Sequence, residues 1–297
     1  MKEVSFLGRP RNVELTSGRA CLLVTLDVGP RVIYAGIEDG PNLFFTFAEG
    51  AGNLGGGEYQ LFGGHRLWIS PEEPDKTMQP DNDPVEYRLV NDEHQFHSLP
   101  DVNRIGKELA IKSLGNERFS IRHTVTNHNA FDIELGAWAL SMIDAGGKVF
   151  FPQPPFQSHE ERVLPTRPLT TWGYTKLADP RWTWGDRVAS LRQDPTGGPQ
   201  KIGTFITQGY AAAEIKGVVL LKSFPSAEGE NYPDYGCNFE TFTNQEMIEI
   251  ESLSPLVRLK PGATLDHVEN WRFFPGESIP ADDEAAFEKL SQLHSQL

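Results

Sequence analysis

The stretch GCNFETFTNQEMIEIESLSP, residues 236–255, decides how this chain is read. Two runs of β-branched and aromatic residues flank the turn-forming pair Asn244-Gln245, a pattern that predicts an antiparallel hairpin. Turning at that pair sets Phe242 opposite Met247, Glu240 opposite Glu249 and Asn238 opposite Glu251. Alternation then gives Cys237, Phe239, Ile248 and Ile250 one face and Asn238, Glu240, Glu249 and Glu251 the other. Facing glutamates repel one another unless water, an arginine or a ligand answers them. Crowding of this kind raises a carboxyl's pKa toward the range of a useful general base. A solvated outer sheet face carries the same letters, so the hairpin alone leaves both readings open.

Working outward, short runs rich in Val, Ile, Thr, Phe and Tyr recur between 28 glycines and 22 prolines. CLLVTLDVGPRVIYAG (21–36), ERFSIRHTVTN (117–127), GVVLLKSF (217–224) and ATLDHVENWRFF (263–274) are examples. Many strands joined by turns are the expectation, and Pro152 to Pro180 reads as long loops. Helical periodicity is convincing only in IPADDEAAFEKLSQLHSQL (279–297), where Asp282 or Asp283 can cap and Ala286, Leu290, Leu293 and Leu297 form one stripe. The expected fold is all-β, one domain over 1–297, with a short C-terminal helix at about 282–297.

Composition narrows the partners. With 27 Lys+Arg against 41 Asp+Glu, the formal charge of −14 repels nucleic acid and anionic membranes. Neutral solutes such as sugars remain open. Hydrophobic residues at 38% and aromatics at 10% suffice for a core. Cys21 and Cys237 make no disulfide framework and no zinc-site spacing, and the start MKEVSFLGRPRN lacks a secretory apolar run, so a cytoplasmic protein without metal is expected. GAGNLG (50–55) matches the letters of a dinucleotide fingerprint, but GGEYQLFGG cannot open the helix that motif needs.

LFGGHRLWIS (61–70) sets His65 and Arg66 directly after two glycines. On a regular strand His65 and Leu67 share one face, Arg66 and Trp68 the other; a bulge at the glycines would change that. In TLDHVENWRFF (264–274), Leu265, His267, Glu269, Trp271 and Phe273 share a side. Titratable groups interleaved with rings suit a saccharide, whose hydroxyls meet carboxylates and whose C–H faces stack on aromatics. A core histidine is the bland alternative for His267, and for His123 between Ile121 and Val125.

Taken together, LLVTLDVGPRVIYAGIEDGPNLFF (22–45), LFGGHRLW (61–68), HTVTNHNAFDIELGAWAL (123–140) and IEIESLSPLVRLKPGATLDHVENWRFF (248–274) resemble segments of the aldose 1-epimerase (galactose mutarotase) superfamily, in order along most of the chain. The resemblance implies a large antiparallel β-sandwich that binds a sugar on a concave sheet. It implies a glutamate that takes the anomeric proton, a histidine that protonates the ring oxygen, and no cofactor. On it, Glu251 falls at the base, with Glu240 as competitor, and His65 at the pocket histidine. Arg66, Glu240, Glu249, Asn238, Trp68, Trp138 and His267 are the expected substrate-binding residues. Trp138 occupies the place of the family's acid histidine, and no histidine lies between His128 and His159. Either His65, His123 or His267 supplies the proton, or the chain binds sugars without epimerising them. A lyase or hydrolase using Glu240 and Glu249 is the remaining alternative.

Overall fold

The computed structural model describes residues 2–47, 52 and 55–297, so most of GAGNLG lies outside the described residues. Two antiparallel sheets face each other across one apolar core. The first runs Lys2–Phe6, Arg9–Ser17, Ala20–Thr25, Arg31–Ile37, His65–Ser70, Ile133–Ile143, Ile248–Leu253, Phe239–Thr243, Gln200–Thr204 and Leu169–Thr171, with Val257–Leu259 paired to one end of Ile133–Ile143. The second runs Trp182–Trp184, Val188–Arg192, Lys148–Pro152, Tyr210–Ile215, Val218–Ser223, Thr264–Pro275, Arg118–Asn127, Ile105–Gly115, Glu93–His97 and Glu86–Val90. The expected β-sandwich is the observed fold.

The hairpin forms with a register two residues from the expected one. Asn244 Oδ1 accepts the N–H groups of Glu246 and Met247, and Thr243 pairs with Ile248 around a four-residue loop. Glu240 therefore faces Glu251, not Glu249, and Phe239 faces Ser252. A shift of two preserves the faces, because strand side chains repeat every second residue. Phe239, Ile248 and Ile250 enter the inter-sheet core as expected.

The terminal helix spans Asp283–His294, with the Asp282 carboxylate capping Ala285 N–H at 3.0 Å. Ala286, Leu290 and Leu293 bury against Tyr210, Leu221 and Phe274 on the outer side of the second sheet.

Gly63 and Gly64 serve the backbone around them. Both adopt left-handed φ, +83° and +76°, and a Cβ there would lie 2.2 Å from Phe45 O and 2.2 Å from Val32 O respectively. Gly64 N–H donates to Phe45 O at 2.8 Å, and Arg31 Nη1 donates to Gly63 O at 2.7 Å. Gly64→Ala therefore adds both a clash and a disfavoured dihedral. It should destabilise the chain by about 2–4 kcal/mol in urea unfolding; a loss under about 0.5 kcal/mol would contradict the close approach.

Candidate functional site

The pairing across the first sheet fixes which side chains share its outer face, the one turned away from the second sheet. Arg66 and Glu251 both pair with Leu140, Trp68 pairs with Trp138, Glu240 pairs with Glu251, and Lys201 pairs with Phe242. Arg66, Trp68, Trp138, Glu249, Glu251, Glu240 and Lys201 thus stand on one surface. Tyr59 packs on Trp68, Tyr174 on Phe242 and Trp172 over Lys201, roofing it. Glu240 and Glu251 are each 1% exposed.

One ammonium answers two carboxylates. Lys201 Nζ lies 2.7 Å from Glu240 Oε2 and 3.4 Å from Glu251 Oε2, with its charge over the Trp138 and Trp172 rings at 4.6 and 4.7 Å. Trp138 Nε1 donates to Glu251 Oε2 at 2.8 Å. The Oε1 atoms of both glutamates are buried without a partner. Leaving buried carboxylate oxygens unpaired is costly.

Protonation follows from burial and crowding. Burial raises Glu240 well above the usual carboxylate range, with Lys201 opposing and Glu251 reinforcing. Burial likewise raises Glu251, against Lys201 and the Trp138 N–H. Although burial disfavours its charge, Lys201 is held well above its ordinary value by Glu240 and Glu251. Burial and then Glu251 push Glu249 up to about 8, so near neutrality it is an acid.

That shift predicts a stability slope. Glu249 has a folded value above its unfolded one, so its contribution is full below pH 4.5 and is lost as pH rises toward about 8. Wild type should weaken through that window by on the order of 1 kcal/mol per pH unit more than Glu249→Gln. Parallel urea midpoints for the two proteins across the window would refute the shift.

His65 is elsewhere. The resemblance predicts it beside Glu251, but it projects with Leu67 and Ile69 into the space between the sheets, through the sheet from Arg66. No bulge at Gly63 and Gly64 brings the imidazole and the guanidinium together. His65 Nε2 meets His123 Nε2 at 2.7 Å and its Nδ1 meets Ser141 Oγ at 2.8 Å, while His123 Nδ1 donates to His267 O at 2.9 Å. His267, expected against the sugar, also points inward: its Nε2 bonds Ser252 Oγ at 2.7 Å. Glu269 accepts from Ser252, Lys222 and Trp271 Nε1 at 2.7, 2.9 and 2.7 Å. Burial drives all three imidazoles toward the neutral form, His267 down to about 3.

His65, His123 and Glu269 gather ligand atoms within 4.8 Å, close enough to suggest a metal. Lys222 already supplies the cation there, and the 2.7 Å imidazole contact is shorter than two nitrogens on one zinc would allow, roughly 3.3 Å for ligands at about 2.0–2.1 Å. As arranged, the group is a hydrogen-bonded core network.

Among the other expected residues, Asn238 has its amide committed to Ile206 N–H, Ile206 O and Ser226, which fixes a loop. Arg66 lies 3.7 Å over the Trp68 ring and donates to Tyr59 at 3.1 Å, without an ion pair to the glutamates. Lys201, Trp172, Tyr59 and Tyr174 were not singled out by sequence; Lys201, alone in the apolar run QKIGTF, was the available signal for the first. A surface cavity of about 400 Å³, lined by Phe205, Tyr232, Arg162 and Glu230, includes none of the clustered acids. Among the described residues, no helix is long and apolar enough to cross a membrane.

No protein-family model matches the chain, and no curated protein matches it in sequence. Solved structures do match its fold. A galactose mutarotase-like protein from Lactobacillus casei aligns at 9% identity and TM-score 0.58, covering 89% of this chain and 100% of its own. A galactose mutarotase related enzyme from Lactobacillus acidophilus aligns at 8% identity and TM-score 0.59, covering 90% and 98%. A Synechocystis protein aligns at 12% and 0.57, covering 93% and 100%. The chain has the galactose mutarotase-like fold.

Proposed function

We propose that the chain is a sugar isomerase of the aldose 1-epimerase kind, with Glu251 as base and Glu249 as acid. Glu251 Oε1 takes the proton from the anomeric hydroxyl while protonated Glu249 delivers one to the ring oxygen. The C1–O5 bond breaks and an open-chain aldehyde forms. Rotation about the adjoining carbon–carbon bond and reversal of both transfers close the ring on the other face, with no net change in protons.

The observation that carries this reading is the free, buried Oε1 of Glu251 two residues along the strand from a carboxyl that is protonated near neutrality. Residues at that spacing lie about 7 Å apart on one face, room to flank C1 of a pyranose. Trp68, Trp138 and Trp172 supply apolar surface for the sugar's C–H faces. The cleavage alternative loses support, because Glu249 is not opposite Glu240 and the pair that does face across strands is bridged by Lys201.

The test is saturation-transfer NMR of anomer exchange across a panel of aldoses. Exchange faster than in matched buffer supports the proposal. Binding without acceleration would make the protein a carbohydrate-binding module, a reading favoured by the position of His65, on the other side of the sheet. New reducing ends would make it a hydrolase.

A further inference from the structure

Across Leu140 from Glu251, along the same row of register partners, two arginines stand together. Arg31 and Arg66 are register partners on neighbouring strands, 0% and 2% exposed. Two guanidiniums side by side and out of water repel each other and call for an anion. Asp81 Oδ2 accepts from Arg31 Nη2 at 2.7 Å and Tyr59 accepts from Arg66. Arg31 Nε, Arg66 Nε and Arg66 Nη1 have no partner, although all are buried. Lys107, also buried, adds a third cation within electrostatic reach of Asp81 and both arginines. Asp101 also lies within electrostatic reach of Lys107, so among the described residues of this corner three cations stand against Asp81 and Asp101.

Resting on the saccharide reading of this face, we propose that the ligand is an anionic sugar whose carboxylate or phosphate sits on Arg66 and Arg31 while its anomeric end meets Glu249 and Glu251. The span fits. Arg66 and Glu251 are two strands apart, about 10 Å between backbones and comparable to the length of a hexose, with Leu140 of the intervening strand beneath the span on the same face. Arginine suits either group, because its planar donors match carboxylate and phosphate oxygens alike.

Calorimetric titration of the wild-type protein with D-glucuronate, D-glucose 6-phosphate and D-glucose, and with D-galacturonate against D-galactose, decides it. At least one charged sugar should bind tenfold or more tighter than its neutral parent, with the preference shrinking from 0.05 to about 0.5 M salt. A uronate preference identifies the carboxylate form, and a 6-phosphate preference the phosphate form. In Arg66→Gln, shown folded by its melting curve, the charged sugar should lose tenfold or more and the neutral one less than threefold; Arg66→Lys should keep part of the preference. Equal or tighter binding of the neutral parents by wild type, or no binding of any charged sugar, overturns the proposal whatever the variants do. Binding is read separately from turnover. Charged sugars that bind without anomer exchange would sink only the isomerase reading, and exchange without charge preference would sink only this one.

Discussion

Glu251→Gln should lower the rate of anomer exchange by about 10²–10⁴-fold, the usual worth of a positioned general base, while changing sugar affinity less than threefold. That corresponds to about 2.7–5.5 kcal/mol of transition-state stabilisation. The amide keeps one oxygen to accept from Trp138 and Lys201, as Glu251 Oε2 does now. What it loses is the free Oε1, since an NH₂ there cannot accept a proton. A loss of affinity with the rate constant unchanged would mean that Glu251 only holds the sugar. The same chemistry predicts a wild-type rate that falls as pH rises past about 8, where Glu249 gives up its proton.

The second large effect lies in the core. Lys222→Met should cost on the order of 3–5 kcal/mol, because it leaves the Glu269 carboxylate buried without its cation. That is about a fifth or more of the stability of an ordinary domain. Adding Glu269→Gln should restore more than half of the loss, since the amide can still accept from Ser252 or Trp271 without a charge to compensate. Urea unfolding of the single and double variants measures both. A single variant within 1 kcal/mol of wild type would mean that Lys222 and Glu269 are not a working pair.

Much of the fold was legible because its signals are local. Alternation in FETFT and IEIES puts Glu240, Glu249 and Glu251 on one face, and the Asp282 cap with the Ala286, Leu290 and Leu293 stripe gives the helix. The hairpin register was not legible, since Asn244 folds back on Glu246 and Met247 and lengthens a two-residue turn to four. Period-two alternation made that error harmless to the faces, though it changed the partner of Glu240.

Which face looks at the second sheet is a long-range fact, and there the resemblance misled. Leu67 and Ile69 share the side of His65, and Leu265 and Phe273 the side of His267; both apolar sets are core, and the imidazoles follow them. Polar residues interleaved with rings on a core-facing pattern have the letters of a pocket, yet here they form a hydrogen-bonded network between the sheets. Trp138, at the position expected for the acid histidine, instead donates its indole N–H to Glu251. The roof of Trp172 and Tyr174 comes from a proline-rich segment whose path no periodicity fixes.

The most direct measurement is a crystal structure of the protein soaked with a sugar that it binds. One ring should lie on the outer face of the first sheet, stacked against Trp68, Trp138 or Trp172, with its anomeric oxygen in hydrogen-bond reach of Glu251 Oε1. A sugar seated in the cavity beside Phe205 and Tyr232, with Trp172 still closed over Lys201 and the glutamates, would contradict this.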